Sequence, residues 1–171
     1  GIEVEGEELL RVYEAFVDLA DKKDSVTDRD LEALMGEDRR TIGSEIYTLD
    51  HVQAFSGAPA VPTATVKMTD PQGETHVASA IGTGPVDAMY QAITQIVGIQ
   101  NKLVEYRVEA VTEGLDSMAD VTLRIEREGT TYVGRGADTD IVVASSKAYV
   151  DALNRLITMG QRATSVMTGP R

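Results

Sequence analysis

Ile81-Gly-Thr-Gly-Pro-Val-Asp-Ala88 and Val133-Gly-Arg-Gly-Ala-Asp-Thr-Asp140 are two versions of one phrase. Each ends a run of strand-like alternation, passes a Gly-x-Gly pair and opens an amphipathic helix. Three strand-like runs lead up to each phrase. Residues 45–160 therefore predict an α+β fold of two pseudo-symmetric βββα units, each a three-stranded antiparallel sheet with a helix laid on it. Both Gly-x-Gly pairs are expected to form strand-to-helix corners. Pseudo-symmetry then brings two helix N-termini together, and the free amides there suit a small anionic or zwitterionic ligand. The pattern points to ligand sensing more than to chemistry.

Working outward, the strands of the first unit are expected over 46–55, 63–68 and 74–81. Asp70-Pro-Gln-Gly73 makes a turn between the last two, with Pro and Gly where turn geometry wants them. Pro85 opens the helix, where its missing N–H costs nothing. Val86, Met89, Tyr90, Ile93, Ile96 and Val97 form its apolar stripe. The second unit repeats the order over 103–111, 120–127 and 130–134, with a turn at Glu128-Gly129 and a helix over 140–159. The polar tail, 161–171, is expected to fray. Two small sheets leave edges exposed, which dimerisation would hide.

Residues 1–44 read differently. Leu10, Tyr13, Phe16, Val17 and Ala20 fall at helical spacing over 7–22. Thr27-Asp-Arg-Asp30 then starts a short helix carrying Leu31, Leu34 and Met35, which Gly36 closes. Two such helices have little to pack on alone, so this linker subdomain is expected to dock on a neighbouring domain. Gly1 stands where a full chain would have Met, so the sequence reads as a piece of something longer.

The 171 residues carry a net charge of −12, of which −7 lies in residues 1–44 (6 Lys/Arg against 13 Asp/Glu). Such a surface repels phosphate backbones and anionic membranes, so no nucleic-acid or membrane partner is expected. Two readings of the acidity stay open: an ordinary acidic protein, or one adapted to high salt. The absence of cysteine rules out disulfides and thiolate metal sites and fits a reducing cytoplasm. No apolar run reaches the length of a membrane span.

A search for catalytic chemistry returns nothing. Gly82-Thr83-Gly84 lacks the third small residue of a dinucleotide loop, since Asp87 stands there, and no Gly-Lys-Ser/Thr follows it as a P-loop requires. His51 and His76 have no partner at metal spacing and read as surface strand residues. Asp138 and Asp140 bracket Thr139 as helix caps. Glu113, Asp116 and Asp120 are too scattered for a calcium loop. Lys147 and Arg155 are expected to face solvent. Tyr106 has two readings, a pocket wall against the first corner or an ordinary strand aromatic. The Gly-x-Gly pairs likewise either shape corners or let a ligand approach backbone amides beside Gly84, Gly136 and Ala137.

Gly82-Thr-Gly-Pro-Val-Asp-Ala-Met-Tyr-Gln-Ala-Ile93, with Gly136-Ala-Asp-Thr-Asp-Ile-Val-Val-Ala-Ser-Ser-Lys-Ala-Tyr149 and Ala152-Leu-Asn-Arg155, resembles the C-terminal regulatory domain of 2-isopropylmalate synthase. Citramalate synthase is the near relative. The resemblance covers about residues 45–160, and residues 1–44 look like the family's helical linker to its catalytic barrel. It implies a homodimer that binds an end-product amino acid, leucine, as feedback inhibitor of the acetyl-CoA and 2-oxoisovalerate condensation. It places the divalent metal and the catalytic residues in the barrel of the same polypeptide, and no cofactor or catalytic residue in this stretch.

Carried over by motif, the ligand's neighbours would be Gly82, Gly84, Val86 and Asp87 at the first corner. Leu103, Tyr106, Ala110 and Ser117 would follow from the strand side, with Ile141 at the second helix. Asp87 and Ser117 depart from the small apolar residues of some members. The chemistry of these residues is consistent with the resemblance: amides suit a carboxylate, a carboxylate or carbonyl suits an ammonium, and Val86, Leu103 and Ile141 suit a branched side chain. Gly84 is expected to need glycine's torsional freedom. The alternatives are a citramalate synthase domain sensing isoleucine and a structural dimerisation module without a ligand.

Overall fold

The computed structural model describes residues 46–110 and 117–167, with residues 13–14, 16–17, 19–21 and 26 of the N-terminal stretch. The helix expected over 27–35, and Glu113 and Asp116, lie outside the described residues. Strands β1 (Thr48–Gly57), β2 (Ala60–Thr69) and β3 (Thr75–Ile81) are followed by helix α1 (Pro85–Val97). Strands β4 (Lys102–Ala110), β5 (Ala119–Arg127) and β6 (Thr130–Asp138) are followed by helix α2 (Ile141–Met167). The sheets run β1-β2-β3 and β4-β5-β6, all antiparallel, so the two expected βββα units are present.

Alternation decides which face of each sheet is buried. Ala64, Val66 and Met68 of β2 are buried while Thr65 and Lys67 between them are exposed; Val121, Leu123 and Ile125 do the same for β5. Helix α1 lays Ala88, Met89, Ala92 and Ile93 onto this surface, and α2 adds Ala144, Ala148, Ala152 and Leu153. The helices also touch each other, so both units share one continuous core. Helix α1 ends in a left-handed Gly98 (φ 71°) whose N–H bonds the Thr94 carbonyl at 2.9 Å. Helix α2 runs on to Met167, beyond the end expected at Met159.

The second Gly-x-Gly pair is not a corner. Gly134 and Gly136 lie inside β6, which continues to Asp138. Being two apart they share one face, and α2 presses on it. A Cβ on Gly134 would overlap the Ala148 carbonyl oxygen, and one on Gly136 would overlap that of Ala144. These glycines are small so that a helix studded with alanine at every fourth residue can sit close, not to admit a ligand. The described N-terminal residues 13–14, 16–17 and 19–21 are helical, and Leu19 packs with Met118 and Ala137, Phe16 and Val26 beside it. The neighbour on which this stretch docks is thus the second βββα unit.

Candidate functional site

The first corner is built by Asp87. Its Oδ2 accepts the Thr83 backbone N–H at 2.8 Å and the Thr83 hydroxyl at 3.1 Å, folding the chain back on itself at the start of α1. The Thr83 N–H, helped by its hydroxyl and by the Gln91 side chain, holds the Asp87 carboxyl below its ordinary range against some desolvation. Gly82 lies under this fold, and a Cβ there would overlap the Ala88 nitrogen and come within 2.8 Å of Asp87 Oδ2. Gly84 is the N-cap, extended at φ −159° and ψ 174°, and no side chain caps this helix end. A Cβ on Gly84 meets nothing within 4 Å. The expectation that Gly84 needs glycine's torsional freedom is therefore overturned; of the two glycines, Gly82 is the one sterically required.

The second corner is closed from within. Asp140 Oδ1 accepts the Val142 N–H at 2.7 Å and the Val143 N–H at 3.4 Å, as a cap should. Asp138 is buried and accepts the Asp140 N–H at 3.0 Å, while its other oxygen pairs with Lys147 Nζ at 3.2 Å. Lys147 also donates to the Ala137 carbonyl at 3.0 Å, so it braces this corner instead of facing solvent. Arg155 likewise pairs with Asp151 at 2.9 Å. The two helix starts are unequal: α2 has a side-chain cap in Asp140, whereas α1 has none at Gly84 and carries its carboxylate, Asp87, inside its first turn.

Among the described residues, the least covered apolar surface of the second sheet lies on β4. In the β4–β5 register Tyr106 faces Leu123 and Val108 faces Val121, with Leu103 opposite Ile125. Directly paired residues share a face, so these β4 side chains point to the core side, yet they stay 37–38% exposed while their β5 partners are fully buried. Both helices pack on β1, and Asn154 of α2 clasps Tyr47 just before it, accepting its N–H at 2.8 Å and donating to its carbonyl at 2.9 Å. Counted from each first helical residue, Gly98 falls where Asn154 stands in α2, and α1 ends there after 13 residues. Just before β4, Asn101 is held by Tyr149 of α2, donating to its hydroxyl at 2.8 Å and accepting from it at 3.2 Å.

Tyr106 links this open face to the second helix. Its hydroxyl bonds Ser145 Oγ at 2.8 Å, and Ser145 donates to the Ile141 carbonyl at 2.6 Å. On the other side stands Tyr90, one turn after Val86. Its hydroxyl is buried without a hydrogen-bond partner, and its ring meets Tyr149 edge-on at 4.6 Å. Burial, with Tyr106 and Tyr149 nearby, pushes the Tyr90 hydroxyl's pKa well up. Of the expected site residues, Tyr106 and Ile141 are brought together through Ser145, and Val86 and Leu103 join the same core side. Asp87 turns back on Thr83 with Gly82 beneath it, and Ala110 ends β4 exposed. Ser117 is half-buried at the start of the run into β5. Tyr90 and Ser145 were not legible as site residues, because both sit within apolar helix stripes.

No group of three or more His, Cys, Asp or Glu able to hold a metal occurs among the described residues. His76 pairs with Asp70 at 2.7 Å, and His51 stays exposed. The sequence profile described as the LeuA allosteric (dimerisation) domain matches residues 25–157. The chain is similar to the 2-isopropylmalate synthases of Gloeobacter violaceus (46% identical over 156 residues, 91% of this chain and 29% of the relative) and Thermosynechococcus vestitus (47% over 156 residues, 91% and 29%). That of Trichodesmium erythraeum is 43% identical over 171 residues, 100% of this chain and 31% of the relative. The chain thus spans about three-tenths of the length of these curated relatives.

Proposed function

The chain belongs to the LeuA allosteric (dimerisation) domain family, and on that premise we propose that it is the homodimeric, leucine-binding regulatory part of a 2-isopropylmalate synthase. The parent enzyme condenses acetyl-CoA with 2-oxoisovalerate in the cytoplasm, and its catalytic barrel with its divalent metal lies in the same polypeptide outside this chain. No helix among the described residues is long and apolar enough to cross a membrane.

The observation that carries this reading is the pairing of an uncapped helix start with an uncovered apolar strand face. The open first turn of α1 supplies amides for a carboxylate. The exposed core side of β4, with Val86 and Ile141, supplies the wall for a branched aliphatic side chain, burial of which is worth ~1.5–3 kcal/mol. Asp87 has its Oδ2 committed to Thr83, so the ammonium is left to its second oxygen or to backbone carbonyls. Leucine bound here would control the barrel through a coupling free energy of about 1–3 kcal/mol between separate sites.

Isothermal titration with leucine, isoleucine and valine tests this. Leucine should bind most tightly, and at a hundred times its dissociation constant should add ~2.7 kcal/mol of stability, visible as a thermal shift. Ile141→Ala should weaken binding while leaving the oligomeric state alone. Preference for isoleucine would move the parent to the citramalate synthases, and no heat with any of the three would leave a dimerisation module without this effector.

A further inference from the structure

An unpaired strand edge invites another chain, and proteins blunt such edges in recognisable ways. The two sheets of the described residues have four edges, and three are blunted. Strand β1 carries register breaks at both ends, between Leu49 and His51 and between Phe55 and Gly57, and the chain entering it is clasped by Asn154. Strand β4 has a break between Leu103 and Glu105 and is lined with Lys102, Glu105, Arg107 and Glu109. Along β6 the Arg135 N–H is taken by Asp151 at 3.0 Å and the Ala137 carbonyl by Lys147.

Strand β3 has none of these protections. Its register with β2 is unbroken from Thr63–Ile81 to Thr69–Thr75. Its seven residues, Thr-His-Val-Ala-Ser-Ala-Ile, contain no Asp, Glu, Lys or Arg, in a chain with 28 acids. Val77 and Ile81 stand 64% and 66% exposed. Beside it lies an open cavity of about 450 Å³, lined by Thr63, Ser79, Ala80 and Ile81 with Gln91 and Gln95 of α1, and no helix or loop among the described residues lies across this edge.

We propose that β3 is where a second copy of this chain joins, strand against strand, turning two β1-β2-β3 sheets into one six-stranded sheet. This rests on the dimer reading above and assigns its location. The occupant follows from self-complementarity, which a two-fold interface demands. Antiparallel pairing about an axis at Ala78 sets Ala78 against itself, Val77 against Ser79, His76 against Ala80 and Thr75 against Ile81. No pair joins like charges or two bulky groups. Two molecules at −12 repel each other, and among the four edges this strand and its partner meet without an acid on either side. Main-chain hydrogen bonds supply the affinity, as in other strand additions.

Sedimentation of the 171-residue chain and of a Val77→Lys/Ser79→Lys variant tests the assignment. Both side chains are exposed, so the fold should survive, with an unchanged circular dichroism spectrum. Each lysine then faces a lysine of the partner across the axis. The wild type should dimerise at micromolar concentration, and the variant's dissociation constant should rise at least ~10-fold. Amides over 75–81 should exchange slowly in concentrated wild type and quickly on dilution. A wild-type dimer that the double substitution leaves intact, or that Phe55→Lys on the outer sheet face breaks instead, overturns the β3 assignment and keeps the dimer. A wild type that stays monomeric at 100-fold higher concentration than this micromolar range overturns both.

Discussion

Gly82 and Gly84 stand two apart in one turn and differ in what they are for. The first has the backbone of Ala88 where its side chain would go; the second has open space and an extended backbone that any residue adopts. Gly82→Ala should therefore cost about 1–3 kcal/mol in a urea melt, through overpacking of the corner. Gly84→Val should change stability by no more than about 0.5 kcal/mol, since a Cβ there meets nothing within 4 Å and the extended backbone suits any residue. If the ligand carboxylate lies over the open amides of α1, the same Gly84→Val should still lower leucine affinity, because its branched side chain stands in the ligand's approach. Nothing local distinguishes the two glycines in the sequence. The difference comes from Asp87 pulling Thr83 back and pressing Gly82 onto the helix, a contact set four residues away. Tyr106 was legible as having two readings, and its bond to Ser145 of α2 fits a pocket wall and a strand aromatic packed on a helix alike. Tyr90 was not, because an aromatic at helical spacing looks the same whether or not its hydroxyl finds a partner.

Elements whose cues are local were read correctly. The β2–β3 turn is one: Gly73 takes φ 82°, and Asp70 Oδ1 accepts the Gln72 and Glu74 N–H groups, each at 2.9 Å. The hydrogen bond from His76, with those two backbone bonds, holds the Asp70 carboxyl below its ordinary 3.8. A carboxyl lowered by folding stabilises the fold above its unfolded value and loses that contribution as pH falls from about 3.8 through the folded value. His76→Ala should move the Asp70 midpoint upward in an NMR titration, and an unmoved midpoint would mean that the backbone bonds alone set it. Elements whose cues are distant were misread. The letters Gly-Arg-Gly predict a corner as readily as a strand, and what makes them a strand is the row Ala144, Ala148 and Ala152 on a helix that comes later in the chain. Lys147 was placed in solvent for the same reason: its partner Asp138 belongs to the strand end that the misplaced corner had hidden.

Over the whole molecule the two βββα units were legible because strands and helices announce themselves by different periods and the phrase occurs twice. Charge is legible too, and its meaning is testable. If the −12 surface is an adaptation to salt, screening should relieve self-repulsion and raise the melting temperature markedly between low and molar salt. A flat or falling melting temperature would identify an ordinary acidic protein. The symmetry-breaking was illegible, since it depends on how far each helix reaches over a sheet. That reach has a consequence of its own. A tandem duplication hands a chain the parts for two equal sites, yet α2 runs on past the point where α1 stops at Gly98 and holds Tyr47 ahead of β1. If leucine binds as proposed, at the start of α1 alone, stoichiometry follows: one site per polypeptide, two per dimer, related by the dyad and not by the internal repeat.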